Sequence, residues 1–482
     1  MEVPESLFKE KSPPLKKTII KMPEPVRHPS SYRDPSGFIF QVEGIYYRQI
    51  NQSYAADYSL LMGSGLYDTL VKKGLLIAHQ ELPGHPPISA NADQRYKTLL
   101  PAQLSTISYP YEWGFEQLRD AALLTLEIMN EAILHGMILK DATPFNIQFE
   151  EGKPVFIDTL SFEKYDPSLP WIAYRQFCEC FLFPLYLEHY CGMEQRKIQT
   201  AWPDGISASL TARLLPWKTR LSFGTLLHVH LQNKVSGKDE RKVVFSRQKL
   251  LNILQHLESI IRGLHTSAAN LSTWNNYYQA TILSQSYLHE KEKLFRDYLD
   301  GLVFHTALDL GANDGYFSQI LSERKDAFIL AVDADTICID RLYRTVREKQ
   351  IRNILPLCIG ILHPSPAIGF RNRERASFHD RVQTELVVAL AVLHHLVLNG
   401  NIPLHDIAGY MAELTARLLV IEFVPLVDLK AQELIRHRSS HHPYDTHSFE
   451  QHFQEYFSIE KKSVVPGTER VLYLMRKKIA SP

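Results

Sequence analysis

Absent from the 482-residue chain is any run of apolar side chains approaching the about 18–20 that a membrane-spanning helix needs. Residues 1–17 also lack the apolar core of a secretory signal, so neither export nor insertion is expected. An excess of one charge is missing too. Lys and Arg number 53, as do Asp and Glu, and this balance gives no argument for a nucleic-acid or anionic-membrane partner. Cysteine is scarce: positions 178, 180, 191, 338 and 358 include no C-x-x-C pair. All five are read as reduced thiols of a cytoplasmic protein. No internal repeat or long low-complexity tract occurs. Aromatic residues are plentiful, with 23 Tyr and 23 Phe to fill cores and line pockets. The length sets two or three domains as the expectation.

Residues 1–34, rich in Pro and Lys, are expected to form a flexible leader. An α+β and helical unit is expected over 35–265. It begins with strands at 38–42 and 45–50 about a Glu43-Gly44 turn, a helix over 54–73 and a strand-like 75–79. An amphipathic helix over 118–135 follows, and 171–262 reads as mainly helical. Residues 266–302 form an aromatic linker and access helix carrying Trp274, Tyr277, Tyr278 and Tyr287. From 303 to 482 strand and helix patterns alternate, with strands at 306–310, 327–332, 353–359, 385–391, 418–423, 457–464 and 470–475. A helix over 402–418 starts at Pro403. Only Val465-Pro466-Gly467-Thr468 joins the last two strands, which must therefore be antiparallel neighbours, because a parallel crossover needs about a dozen residues. Five alternating strands and a terminal hairpin predict a doubly wound α/β sheet of seven strands with the last one reversed.

The densest motif is Ala307-Leu308-Asp309-Leu310-Gly311-Ala312-Asn313-Asp314-Gly315-Tyr316-Phe317-Ser318: an apolar strand carrying an acid, a glycine turn, then a helix start. Such a turn brings a ligand close to bare backbone N–H groups. It is not the dinucleotide fingerprint, which would need glycine at Asn313 and Tyr316. A second apolar strand ends in Asp333-Ala334, 18 residues after Gly315, and a carboxylate there suits the two hydroxyls of a ribose. The bland alternative makes Asp309 and Asp333 helix caps. The fourth strand leads into His394 and His395, which read either as general bases near neutral pH or as residues packed beside the site. Glu422, at the end of the fifth strand, reads as catalytic or structural.

This spacing resembles motif I of class I S-adenosylmethionine (SAM) methyltransferases, and residues 303–482 look like one such Rossmann-like domain. The resemblance implies SAM as cofactor. Gly311 and Gly315, with Ala312 and Asn313, would border its amino-acid part, Asp309 would orient its ammonium group, and Asp333 with Ala334 would take the ribose. The usual acid for the adenine amino group is missing from Leu357-Cys358-Ile359-Gly360-Ile361. The Asn/Asp-Pro-Pro-aromatic motif of base-modifying enzymes is missing after the fourth strand, so a small-molecule acceptor methylated at oxygen is expected. Arg371, Arg373, Arg375 and Arg381 read as an anion site or a solvated face. The histidine-rich 436–447 matches no zinc spacing and reads as a polar lid, so no metal is expected.

In the N-terminal half, Asp141 and Asn146 are five apart and Asp158 follows twelve later. This resembles the catalytic loop and metal-binding Asp of protein and aminoglycoside kinases, in which Asp141 would be the base and Asn146 and Asp158 would hold magnesium. The departures are Leu139 at the usual His, no Gly-x-Gly-x-x-Gly loop, no evident strand Lys, and Asp158-Thr159-Leu160 for Asp-Phe-Gly. The other reading is a loop whose Asp and Asn satisfy backbone groups. Four segments, Ser108-Tyr109-Pro110-Tyr111-Glu112-Trp113, Leu139-Lys140-Asp141-Ala142, 156–163 and 171–177, resemble bacterial proteins of the nodulation-protein NoeA-like group. That resemblance implies a SAM methyltransferase working on a small molecule or glycan. A phosphotransferase with a SAM-binding sensor domain and a non-catalytic scaffold are the alternatives.

Overall fold

In the computed structural model, which describes residues 26–83, 94–231, 246–266, 285–435 and 442–479, the two halves are distinct in architecture but share a core. The first half opens with an antiparallel sheet. Strands β1 (Val26–Arg27), β2 (Gly37–Val42), β3 (Ile45–Asn51), β4 (His79–Glu81) and β5 (Arg95–Pro101) lie in the order β1-β2-β3-β5-β4. The β2–β3 turn forms as expected: Glu43 and Gly44 both take positive φ, 49° and 83°, which matches the twist of a tight hairpin. Two differences follow from local chemistry. Residues 26–27 of the expected leader already pair with β2. The expected single helix at 54–73 is two, Ala55–Gly63 and Leu66–Lys72, broken at left-handed Gly65 (φ 77°).

Helix Phe115–Leu134 presents Leu118, Ala121, Ala122, Leu126, Met129 and Ile133 to the core and stops before Gly136, which takes φ 75°. Strand β6 (Met137–Leu139) pairs with β9 (Phe162–Lys164), and β7 (Ile147–Glu150) with β8 (Lys153–Phe156), both antiparallel. Helical segments then run through 174–231 to helix Arg247–Gly263.

The second half is the doubly wound sheet, with β10 (Thr306–Leu310), β11 (Phe328–Asp333), β12 (Ile354–Cys358), β13 (Thr384–Ala389), β14 (Thr415–Phe423), β15 (Phe457–Val464) and β16 (Val471–Lys477). Their order is β12-β11-β10-β13-β14-β16-β15, parallel from β12 to β14, with β16 antiparallel to both neighbours. This is the seven-stranded methyltransferase topology. Alternate residues cover its two faces. Ile329, Ala331, Val388 and Val420 meet Phe295 and Phe317 on one side, while Leu308, Leu330, Val387 and Leu419 belong to the core that continues into the first half. Helix Leu404–Leu414 ends four residues earlier than its pattern suggested, since Thr415 already begins β14 and turns its hydroxyl back to the Met411 carbonyl at 2.6 Å.

Beside this shared apolar core, polar contacts also join the halves. Helix Thr336–Glu348, just beyond Asp333, offers the Asp340 carboxylate to the Glu116 N–H (3.0 Å). Its Tyr343 hydroxyl donates to Asp120 at 2.9 Å, and Arg347 pairs with the same carboxylate. Arg381 and Arg375 are not a solvated face. The half-buried Arg381 pairs with the fully buried Glu112 and donates to the Ile107 carbonyl, and the Arg375 guanidinium lies 3.7 Å from the centroid of the Phe145 ring. Breaking a buried pair strands a charge, so Arg381→Ala is expected to lower stability by about 3–5 kcal/mol in urea unfolding. An Arg381→Met, Glu112→Leu double variant should recover most of that loss.

Candidate functional site

Parallel strands direct their carboxyl ends to one rim, and the chain between β10 and the next helix is bent there by three left-handed residues: Gly311 (φ 72°), Asn313 (φ 52°) and Gly315 (φ 80°). A Cβ on Gly311 would stand 2.4 Å from Val392, and one on Gly315 2.3 Å from Leu342. Both positions thus require glycine for conformation and for space. The turn is pinned to β11, because the Gly311 and Ala312 N–H groups both donate to the Val332 carbonyl (2.9 and 3.0 Å).

Asp309 is buried, accepts the Ser318 hydroxyl at 2.6 Å, and has its pKa pushed up to about 6 by burial against that hydrogen bond. Asp333 is not a helix cap; Asp335 is, accepting from Ile337 and Cys338. The two Asp333 oxygens instead accept the Asn313 N–H (2.9 Å) and the Asp335 N–H (2.8 Å). The Ala334 N–H also bonds this carboxylate, which leaves at least one lone pair for a ligand. Burial raises its pKa against those bonds. Ala334 faces Gly360 across the ends of β11 and β12, where a Cβ on Gly360 would lie 3.2 Å from the Ala334 methyl.

Strand β13 stops at Ala389, two residues short of expectation, and the chain turns through Ala391 (φ 55°). The turn carries His394 and His395 to the rim with ring centroids 4.2 Å apart. His394 is fully buried, and among the described residues neither ring nitrogen has a hydrogen-bond partner. Burial, then the neighbouring His395 ring and the positive Arg470 and Lys291, hold its pKa well below the ordinary value. His395 is lowered to about 4 by burial and Arg470.

Glu422 also reaches this rim, but in an ion cluster. Its oxygens accept Lys291 (2.6 Å) and Tyr287 (3.0 Å), and Arg470 stands at 3.8 Å. Burial opposes its ionisation, yet Lys291 and Arg470 outweigh burial and hold it below the usual carboxylate range. It is therefore an anchor rather than a free base. Arg470 in turn binds Asp428 and the Tyr287 hydroxyl. Lys291, Arg470, Asp428 and Ser318 escaped the sequence reading. Lys291 had a signal, a lysine four residues after Tyr287 on the apolar stripe of helix Gln285–Leu299. Of the access segment, Tyr287 is described, whereas Trp274, Tyr277 and Tyr278 lie outside the described residues, as does 436–441 of the expected lid.

In the first half, Asp141, Asn146 and Asp158 do converge. The Asn146 amide donates to Asp141 (3.3 Å) and to the Ser161 hydroxyl (3.0 Å), which donates to Asp158 at 2.5 Å. Arg48 of β3, which the sequence reading passed over, is ion-paired with Asp158. Burial, then Asp158, raises the Asp141 pKa; Asp158 itself is held low by Arg48 and Ser161 against the cost of burial. Among the described residues no group of three or more His, Cys, Asp or Glu is set to hold a metal by itself.

Strand order and the β10–β11 rim together define a class I methyltransferase fold. The chain is similar to the nodulation protein NoeA of Rhizobium meliloti (strain 1021), 28% identical over 470 residues that cover 95% of this chain and 97% of that one. No family model matches. Similar solved structures include the N-methyltransferase NodS from Bradyrhizobium japonicum WM9 (16% identity, TM-score 0.31, 41% of this chain and 99% of that one). Another is the magnesium protoporphyrin IX methyltransferase of Synechocystis PCC 6803 (13%, TM-score 0.31, 42% and 93%).

Proposed function

We propose that the chain is a SAM-dependent methyltransferase acting on a small-molecule or glycan-type acceptor, with oxygen as the accepting atom. What supports this best is one arrangement: a left-handed Gly311–Gly315 turn flanked by the buried Asp309 and the half-buried Asp333, with no Lys or Arg in the turn to take a phosphate. Bound there, SAM supplies a methyl group on a cationic sulfur. Asp309, once ionised, receives the ammonium group; Gly311, Ala312, Asn313 and Gly315 offer backbone at close range; Asp333, beside Ala334, keeps a lone pair for the ribose hydroxyls. The unpartnered His394 would give the acceptor a neutral hydrogen-bond-accepting nitrogen, and would take the hydroxyl proton as the oxygen–methyl bond forms and the sulfur–methyl bond breaks, the sulfonium leaving as a neutral thioether. His395 stacks beside it, and Glu422 fixes Lys291 and Tyr287 along the same rim.

A carboxyl raised to about 6 is ionised, and so attractive to an ammonium group, only above that pH. Calorimetric titration with SAM should therefore show affinity rising as pH increases through about 6, and Asp309→Asn should flatten the dependence. Asp333→Ala should weaken binding more than about tenfold. Absence of binding heat for the wild type at every pH would overturn the reading. For the chemistry, label transfer from methyl-labelled SAM into extract components should fall by about 10²–10⁴ in His394→Phe, with SAM affinity retained. Equal transfer rates would remove His394 from that role.

A second reading of the first half has its own support in the Arg48–Asp158–Ser161–Asn146–Asp141 chain. Two carboxylates and an amide suit a magnesium ion that keeps phosphate oxygens as its remaining ligands. We propose that this cleft takes a magnesium–nucleotide, with Arg48 released from Asp158 to a phosphate. Titration with Mg-ATP should give heat that Asp158→Asn abolishes while SAM binding persists; a silent wild-type titration would refute it.

A further inference from the structure

The zero net charge conceals a local excess. From residue 205 to 231 no Asp or Glu occurs, while Arg213, Lys218 and Arg220 do. All three are exposed, and among the described residues none of them forms a side-chain hydrogen bond or ion pair. Between and beside them stand large apolar side chains in water: Trp217 is 68% exposed, Leu221 80% and Phe223 69%. Scattered single exposures of this kind are ordinary, but three within seven residues form a ridge.

The ridge is held in shape from beneath. Thr219, on the inner side of the turn Trp217–Leu221, is buried and donates to the Pro216 carbonyl at 2.7 Å. The buried Thr225 hydroxyl closes the turn through the Thr219 and Ser222 carbonyls. The Phe223 ring rests 5.4 Å from His256 of helix Arg247–Gly263. Thr219 inward thus forces Trp217, Lys218, Arg220 and Leu221 outward together.

We infer that this ridge docks the protein on an anionic lipid surface. Trp, Leu and Phe side chains enter the headgroup–acyl boundary, and the unpaired Lys and Arg extend their stems along it to place charge on lipid phosphates. A second copy fits less well, because pairing two ridges would set three unpaired cations against three. Among the described residues no helix is long and apolar enough to cross a membrane, so the contact is peripheral.

The test is co-sedimentation of the full chain with vesicles of phosphatidylcholine, with and without phosphatidylglycerol. Binding is expected only with phosphatidylglycerol and should weaken with salt. Lys218→Glu with Arg220→Glu should lower the partition coefficient by at least about tenfold. Trp217→Ser, Leu221→Ser and Phe223→Ser together should remove binding with circular dichroism unchanged. Equal binding to both vesicle types, no binding at low salt, or wild-type binding by either variant would overturn the proposal. So would a wild-type dimer, seen by analytical ultracentrifugation, that the triple serine variant dissolves.

Discussion

A buried carboxylate on helix Thr336–Glu348 governs how the molecule is put together. That helix leaves the rim just after Asp333, and midway along it Asp340 has to find a donor away from water. It finds the Glu116 N–H, one of the free donors at the start of helix Phe115–Leu134. Each group is costly alone, and the bond offsets part of that cost; burial, with Glu188 nearby, still pushes the Asp340 pKa well up. The consequence is steric as well: Gly114 is the residue that lets them meet, since a Cβ there would stand 2.2 Å from the Asp340 carboxylate. Tyr343 and Arg347 on Asp120 extend the same seam. The helix that follows β11 and the helix that leads to Asp141 are therefore one packed pair.

The rim shows a different use of charge. Lys291, Glu422, Arg470 and Asp428 neutralise one another in a dry environment, and what they leave beside them is an uncharged imidazole, His394. Burial does most to keep His394 neutral; the neighbouring His395 ring and then the positive Arg470 and Lys291 of the cluster push the same way.

Much of this was legible in the sequence. The seven strands, the reversed last one and the turn at Gly311 follow from periodicities of two and from glycine spacing, which report local sterics. Ends were less legible: β13 stops at Ala389 because Ala391 takes a left-handed conformation that alanine's propensity does not announce. Least legible were groups whose meaning depends on distant partners. Arg48 meets Asp158 across 110 positions and Arg381 meets Glu112 across 269, and no window of sequence holds both members. Overall neutrality likewise hid the acid-free stretch around Trp217, because a sum has no position.

Strand β16 sits between β14 and β15, hydrogen-bonded to both, although it follows them in the chain. A growing chain therefore reaches β15 with a gap beside β14, and Glu422 waits there without the Arg470 that precedes β16. Only β16 can fill this gap. Until it does, two strand edges and a buried acid are open to water, and a nascent chain held at that stage is the form most exposed to pairing with the wrong strand.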